Sequence, residues 1–260
     1  MALADSYDGF LFDLDGVVWL GTEAIPGAAE AIGSLIAAGK GVAFLTNNPR
    51  ATAGDYAERL RRMGIEVAPE RVVTAGAVTA GLAAAATGAR SGAFVIGTDS
   101  FRAEVAAAGT GVLEGERGAE AGVVVVSGHS GFDYAELRTA TAALHGGAQL
   151  FATNRDPTMP MPGGPWPGTG SILAAVETAS GSSATVGGKP QRPIFERARE
   201  LVGGSRVAMV GDRLDSDIGG AAAAGLETIL VLTGATSAEQ AERSEVRPGQ
   251  ILDVVADLTR

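Results

Sequence analysis

At 260 residues, 46% hydrophobic and 19% charged, the chain can bury a real core and is too apolar to stay disordered. A net charge of −10 excludes a general nucleic-acid or anionic-membrane surface, which would need basic stripes. The absence of cysteine excludes disulfides, thiolate catalysis and cysteine-type zinc sites.

The first element is the apolar run Gly9-Phe10-Leu11-Phe12, ending in Asp13-Leu14-Asp15-Gly16. On a strand, positions i and i+2 share a side, so Asp13 and Asp15 can address one small volume. Gly16 lets the backbone turn sharply after them. Two such carboxylates can hold a hard divalent cation, and one can attack an electrophile. Taken alone, the same four residues are equally well an acidic turn. Ahead of this run, Met1 to Gly9 lack the basic and apolar regions of a signal peptide, and no stretch approaches the length of a membrane span. A cytoplasmic protein is the expectation.

Beyond it, Pro26 opens a helix carrying Ala28, Ile32 and Leu35 to a stop at Gly39. A strand, Gly41 to Leu45, ends in Thr46-Asn47-Asn48, and a helix from about Thr52 carries Tyr56, Leu60 and Met63 to Gly64. Val72-Val73 is a third strand. Strand alternating with helix implies parallel pairing. The middle of the chain repeats the alternation: strands at Phe94–Ile96, Val123–Val126 and Leu150–Ala152, helices at Ser100–Ala108 and Tyr134–Leu144. A long Pro- and Gly-rich loop, Thr153 to Gly170, precedes a helix from Ser171 to Ala179. Loops of this length are disproportionately functional. After Gly187-Gly188-Lys189-Pro190, a helix begins near Pro193. Val207–Val210 is a buried strand ending in Gly211-Asp212, Asp217–Ala224 reads as helix and Thr228–Leu232 as strand.

In an open parallel sheet, ligands gather beyond the carboxyl ends of the strands. Asp13/Asp15, Thr46/Asn47 and Asp212 all follow predicted strands, and Lys189 adds a cation. Each alone has a dull reading as turn or surface chemistry. Together they supply carboxylates, a hydroxyl beside backbone amides and one positive charge, the parts that phosphoryl transfer calls for. Competing signals fail. Gly168-Thr169-Gly170 lacks the third glycine of a dinucleotide fingerprint, Gly188-Lys189 is followed by proline rather than serine or threonine, and no nucleophile elbow surrounds Ser127. Two isolated histidines, His129 and His145, do not make a zinc site.

The segments DLDGV (Asp13 to Val17), LTNN (Leu45 to Asn48), GGKP (Gly187 to Pro190) and GDRLDSD (Gly211 to Asp217) resemble, in order, the four motifs of haloacid dehalogenase superfamily phosphatases. The long insertion between the second and third is similar to a C2-type cap. ATNRDPTMP (Ala152 to Pro160) with PGTGS (Pro167 to Ser171) resembles the subgroup of NagD-like, nitrophenyl-, phosphoglycolate and glycerol phosphate phosphatases. Ser127 to Gly131, ahead of Phe132-Asp133, departs from that subgroup's more direct run into Gly-Phe-Asp.

The resemblance implies an α/β fold: a Rossmann-like parallel-sheet core at 1–75 and 185–260, and an inserted smaller α/β cap at 76–184. It implies Mg²⁺-dependent hydrolysis of a small phosphomonoester through an aspartyl phosphate, with glycerol phosphate or phosphoglycolate first and a nucleotide monophosphate or sugar phosphate behind. Asp13 would be the nucleophile and Asp15 the acid and then the base. Mg²⁺ would sit on the Asp13 carboxylate, the Asp15 carbonyl and Asp212. Thr46 and the Asn47 amide would hold phosphate oxygens, Lys189 would neutralise the phosphate and orient Asp13, and Asp217 would support Lys189 or a bound water. A homodimer through the cap is a further expectation. In the cap loop, Asn154, Arg155 and Asp156 are open to two readings: contacts to the leaving group, or caps of turns before Pro157. A phosphate-ester binding or regulatory protein with incidental turnover is the alternative of another class, and a structural module a third. Retention of both Asp13 and Asp15 weighs against a pure binder.

Overall fold

Gly9–Asp13 is buried at every position, as a strand covered on both faces of a parallel sheet must be. In the computed structural model, which describes residues 2–49, 51–86, 88, 90–161 and 164–260, this strand is β1. It is followed by β2 (Trp19–Leu20), β3 (Glu23–Ala24), α1 (Ala28–Ala37), β4 (Gly41–Thr46), α2 (Ala53–Arg62), β5 (Val72–Thr74) and α3 (Ala75–Ala85). Next come β6 (Ala93–Ile96), α4 (Asp99–Ala107), β7 (Val123–Val126), α5 (Tyr134–His145), β8 (Gln149–Ala152), β9 (Thr158–Met161), β10 (Gly164–Pro167), α6 (Thr169–Ser180) and β11 (Thr185–Val186). The chain closes with α7 (Arg192–Val202), β12 (Val207–Gly211), α8 (Gly220–Ala223), β13 (Glu227–Val231), α9 (Ala238–Arg243) and β14 (Gln250–Leu252).

These elements divide into two compact units: Met1–Thr46, Ala51–Thr74 and Lys189–Arg260 form one, Asn47–Arg50 and Ala75–Gly188 the other. In the first unit, the described residues form a parallel sheet in the order β14-β13-β12-β1-β4-β5. Central β1 pairs Phe12 with Val210 of β12, and Asp13 with Leu45 of β4. The carboxyl ends of β1, β4 and β12 therefore lie side by side, carrying Asp13, Thr46 and, one residue past β12, Asp212. Phe10, Phe12 and Phe44 are fully buried, with Phe12 centred 5.9 Å from each of the other two rings. Truncating Phe12 to alanine would cost about 3–5 kcal/mol, enough to loosen the strand that carries Asp13. Helix α2 starts from a capping box: the Asp55 amide donates to Thr52 Oγ1 at 3.2 Å and the Thr52 amide to Asp55 Oδ2 at 2.9 Å. That pair is worth about 1 kcal/mol and sets where the helix begins.

The second unit is built on a parallel sheet in the order β11-β8-β7-β6. The four valines of β7 are buried and alternate: Val123 and Val125 pack with Ala80, Ala83, Phe101 and Val105 of α3 and α4, Val124 and Val126 with Ala140, Ala143, Leu173 and Val176 of α5 and α6. Helices on both faces explain why the strand reads as an unbroken apolar run.

The second unit holds one pairing that the sequence reading lacks. The segment read as one loop, Thr153 to Gly170, contains the antiparallel pair β9–β10 with Met159 opposite Trp166; residues 162 and 163 lie outside the described ones. Proline and glycine hid it, although proline is tolerated on a short edge pair. The alanine-rich stretch before Ala86, helix-forming in composition, is a full helix, α3. Thr185 and Val186 pair with β8, and the second unit runs through Gly188.

Candidate active site

Asp13 is the last residue of β1, 6% exposed, and Lys189, 3% exposed, opens the segment leading into α7. Lys189 Nζ lies 2.7 Å from Asp13 Oδ1 and 2.7 Å from Asp217 Oδ1. A lysine this deeply buried is held charged by carboxylates on both sides: burial works against the ammonium, but Asp13 and Asp217 outweigh it and raise its pKa. Asp217 has no exposed surface and sits on a π-helical turn, Leu214–Gly219. Its Oδ2 accepts from the amides of Asp212 and Arg213 at 3.2 and 3.1 Å, so the turn is folded around this carboxylate. Turns of that kind are frequent at functional sites.

Asp212 follows β12 and is held by its Oδ2, which accepts from the Ala235 amide at 2.6 Å. A Cβ at Gly16 or Gly234 would strike the same carboxylate. Glycine is required at both places, and at Gly16 the φ of +86° adds a second reason. Asp212 Oδ1 is buried with no hydrogen-bond partner among the described residues. Asp13, Asp212 and Asp217 each bring a carboxylate oxygen within 4.8 Å of the others. Fully ionised, three carboxylates against one ammonium would leave two negative charges in a buried space. Burial pushes Asp13 up to about 8, with Lys189 pulling down and Asp217 and Asp212 pushing up. Burial, then Asp217, pushes Asp212 up to about 6. A hard divalent cation fits this donor set: all oxygen, one acceptor unpartnered, and a charge deficit of its own size.

Asp15 is exposed, and its carboxylate stands outside that cluster. Its Oδ1 accepts from the indole Nε1 of Trp19 at 2.9 Å. Thr46 ends β4, 2% exposed, and bonds to the phenol of Tyr56, which burial pushes up to about 12. Neither Trp19 nor Tyr56 was read from the sequence as a site residue. The available signal was a tryptophan four residues past an aspartate in a tight turn, since a buried indole N–H needs an acceptor.

The remaining candidates belong to the second unit. The Asn47 carbonyl accepts from Asn154 Nδ2 at 3.1 Å, and Asn154 Oδ1 accepts from the Asp156 amide at 3.0 Å, a turn closed by an asparagine side chain. Arg155 forks onto Glu177 of α6, Nη1 to Oε2 at 2.8 Å and Nη2 to Oε1 at 2.7 Å. Glu177 also accepts from the Ala184 amide, so this pair ties the loop to the end of α6. His129, in the segment that departs from the subgroup pattern, lies 2.9 Å from Glu136, which also meets Arg102 at 3.2 Å.

Comparison with known proteins bears on this geometry. Residues 10–111 match the family described as Haloacid dehalogenase-like hydrolase, and residues 186–258 the one described as HAD-hyrolase-like. Chronophin of Homo sapiens is 38% identical over 272 residues, covering 96% of this chain and 92% of that protein. D-glycerol 3-phosphate phosphatase of Mycobacterium tuberculosis is 36% identical over 245 residues, covering 94% of this chain and 68% of that protein. The crystal structure of a glycerol phosphate phosphatase from Mycobacterium tuberculosis in complex with magnesium matches with a TM-score of 0.91 at 33% identity, over 100% of this chain and 78% of that one.

Proposed function

For this chain, which belongs to the haloacid dehalogenase-like hydrolases, we propose that the Asp13–Lys189–Asp212 site hydrolyses glycerol phosphate or phosphoglycolate. The enzyme is a phosphomonoester hydrolase that uses Mg²⁺. The observation that carries the reading is Lys189 Nζ at 2.7 Å from Asp13 Oδ1, beside a buried Asp212 oxygen with no protein partner among the described residues.

In this reading Asp13 attacks phosphorus, the bond to the leaving oxygen breaks, and Asp15 gives that oxygen its proton. Asp15 then takes a proton from water, which attacks phosphorus and frees Asp13 as inorganic phosphate leaves. Lys189 holds Asp13 in line and meets the phosphate charge, while Asp217 holds Lys189. Thr46 and the Asn47 amide take phosphate oxygens. Asp13, Asp212 and the Asp15 carbonyl would hold Mg²⁺, which supplies charge neutralisation between carboxylate and phosphate when bound.

Residues 1–75 and 185–260 carry the chemistry in this proposal, with 76–184 as the cap. Relatives named for glycerol phosphate support the substrate class. One named Acid sugar phosphatase, 33% identical in Staphylococcus aureus, supports sugar phosphates as the second reading. A cytoplasmic homodimer completes it, supported by Tyr134 and Trp166 of the second unit, which are 81% and 46% exposed. Sedimentation would test that part: a monomer at micromolar concentration overturns it. Phosphate release with Mg²⁺ across a panel of glycerol phosphate, phosphoglycolate, sugar phosphates and nucleoside monophosphates tests the substrate. The highest kcat/KM belongs to one of the first two, and a nucleotide or sugar phosphate ranking first overturns the assignment.

A further inference from the structure

We infer that Trp19 is a positioning residue for Asp15, fixing which carboxylate oxygen is left to carry the catalytic proton; this rests on Asp15 being the acid of the preceding section. The backbone builds the contact. Leu14 O accepts from the amides of Val17, Val18 and Trp19 at 3.3, 2.9 and 3.2 Å, and the Gly16 amide donates to Trp19 O at 2.7 Å. This tight loop turns the chain back on itself and sets Trp19 alongside Asp15. The Trp19 ring is fully buried, and its one polar atom donates to Asp15 Oδ1. A donor on Oδ1 makes the two oxygens inequivalent: Oδ1 is occupied as an acceptor, and Oδ2 is left for the proton.

The indole is itself held. Tyr56 stacks on it with centroids 6.4 Å apart and planes 7° from parallel. The Arg59 guanidinium lies 3.8 Å from the ring centroid and also donates to Gly21 O, in the turn between β2 and β3. Tyr56 and Arg59 are one turn apart on α2, on the same face of the helix. The Tyr56 phenol meets Thr46. One line of contacts therefore runs from the hydroxyl at the end of β4, through Tyr56 and Trp19, to the carboxylate after β1. The helix whose Tyr56 meets Thr46 thus also holds the indole that donates to Asp15.

A positioned acid matters in proportion to how badly the leaving group needs a proton, and this separates positioning from packing. The experiment measures kcat/KM for a series of aryl and alkyl phosphates of rising leaving-group basicity. It uses wild type, Trp19→Phe, a protein with benzothienylalanine at position 19 (the same shape with sulfur for N–H), and Asp15→Asn. Both changes at 19 lower kcat/KM about 10–100-fold for alkyl phosphates and less than about 3-fold for nitrophenyl phosphate, with Asp15→Asn steeper still. If Trp19→Phe fails to fold, the benzothienylalanine protein decides. A uniform loss, or none, at position 19 beside a steep series for Asp15→Asn overturns the positioning role alone. A flat series for Asp15→Asn overturns the acid assignment and the role of Trp19 with it.

Discussion

The Asp212 carboxylate fills the space that a side chain at Gly16 would take. The two residues follow different strands, β1 and β12, and any side chain added at Gly16 must displace Asp212. Gly16→Ala should cost about 1–2 kcal/mol for an L-residue held at left-handed φ, and more as Asp212 is displaced. The Mg²⁺ concentration for half-maximal activity should rise at least about tenfold, a loss of about 1.4 kcal/mol in binding. A magnesium titration of activity with a melting curve checks both.

Lys189→Met should abolish turnover and destabilise the protein by about 3–5 kcal/mol, because Asp13 and Asp217 lose their shared cation while still buried. Adding Asp217→Asn should restore much of the stability and none of the activity. Denaturant unfolding beside a phosphate-release assay separates the two effects.

Asp13→Asn removes the nucleophile and one of three crowded carboxylates with little change in volume. Activity should vanish, and the metal-free melting temperature at pH 8 should be no lower than wild type. A clear fall in Tm there would mean that Asp13 stabilises the fold as an anion.

Burial pushes Asp13 up to about 8 and Asp212 up to about 6, so in metal-free protein both hold a proton more tightly than an ordinary carboxyl. The unfolded chain releases those protons near the ordinary carboxyl range, and stability from this pair falls as pH rises between about 4 and 8. Mg²⁺ competes with the same protons, so its stabilising effect should grow over that window. Melting curves from pH 5 to 8, with EDTA and with Mg²⁺, test the sign. A Mg²⁺ effect that shrinks with pH would contradict it.

Arg155 is half exposed and clasped to Glu177 within its own unit. Arg155→Ala should lower stability by less than about 1 kcal/mol and leave the ranking among phosphoglycolate, glycerol phosphate and nitrophenyl phosphate unchanged. A changed ranking would return this residue to the leaving-group site.

The alternation of strand and helix was legible because its signals are local. Gly39 and Gly64, read as helix stops, both hold positive φ, at +75° and +90°. The polar groups ending β1, β4 and β12 were legible too, since each directly follows an apolar run. What stayed hidden depends on where the chain comes back. Trp19 reaches Asp15 only through the backward loop on Leu14 O, and Gly234 meets Asp212 from beyond β13. Arg155 meets Glu177 through tertiary packing that no local pattern announces. The β9–β10 pair was masked by prolines that carry no alternation of their own.

The strand order also governs when a nascent chain becomes an enzyme. β1 emerges from the ribosome before β4 and β5 and can join them as they follow, but its other edge stays open until β12 appears. Every strand of the second sheet is synthesised during that wait, so that sheet can close first. Lys189 and Asp212 arrive only afterwards, and until then Asp13 has neither its cation nor its neighbouring carboxylate. A ribosome-stalled or truncated product ending before Val207 can fold its second unit and hydrolyse nothing.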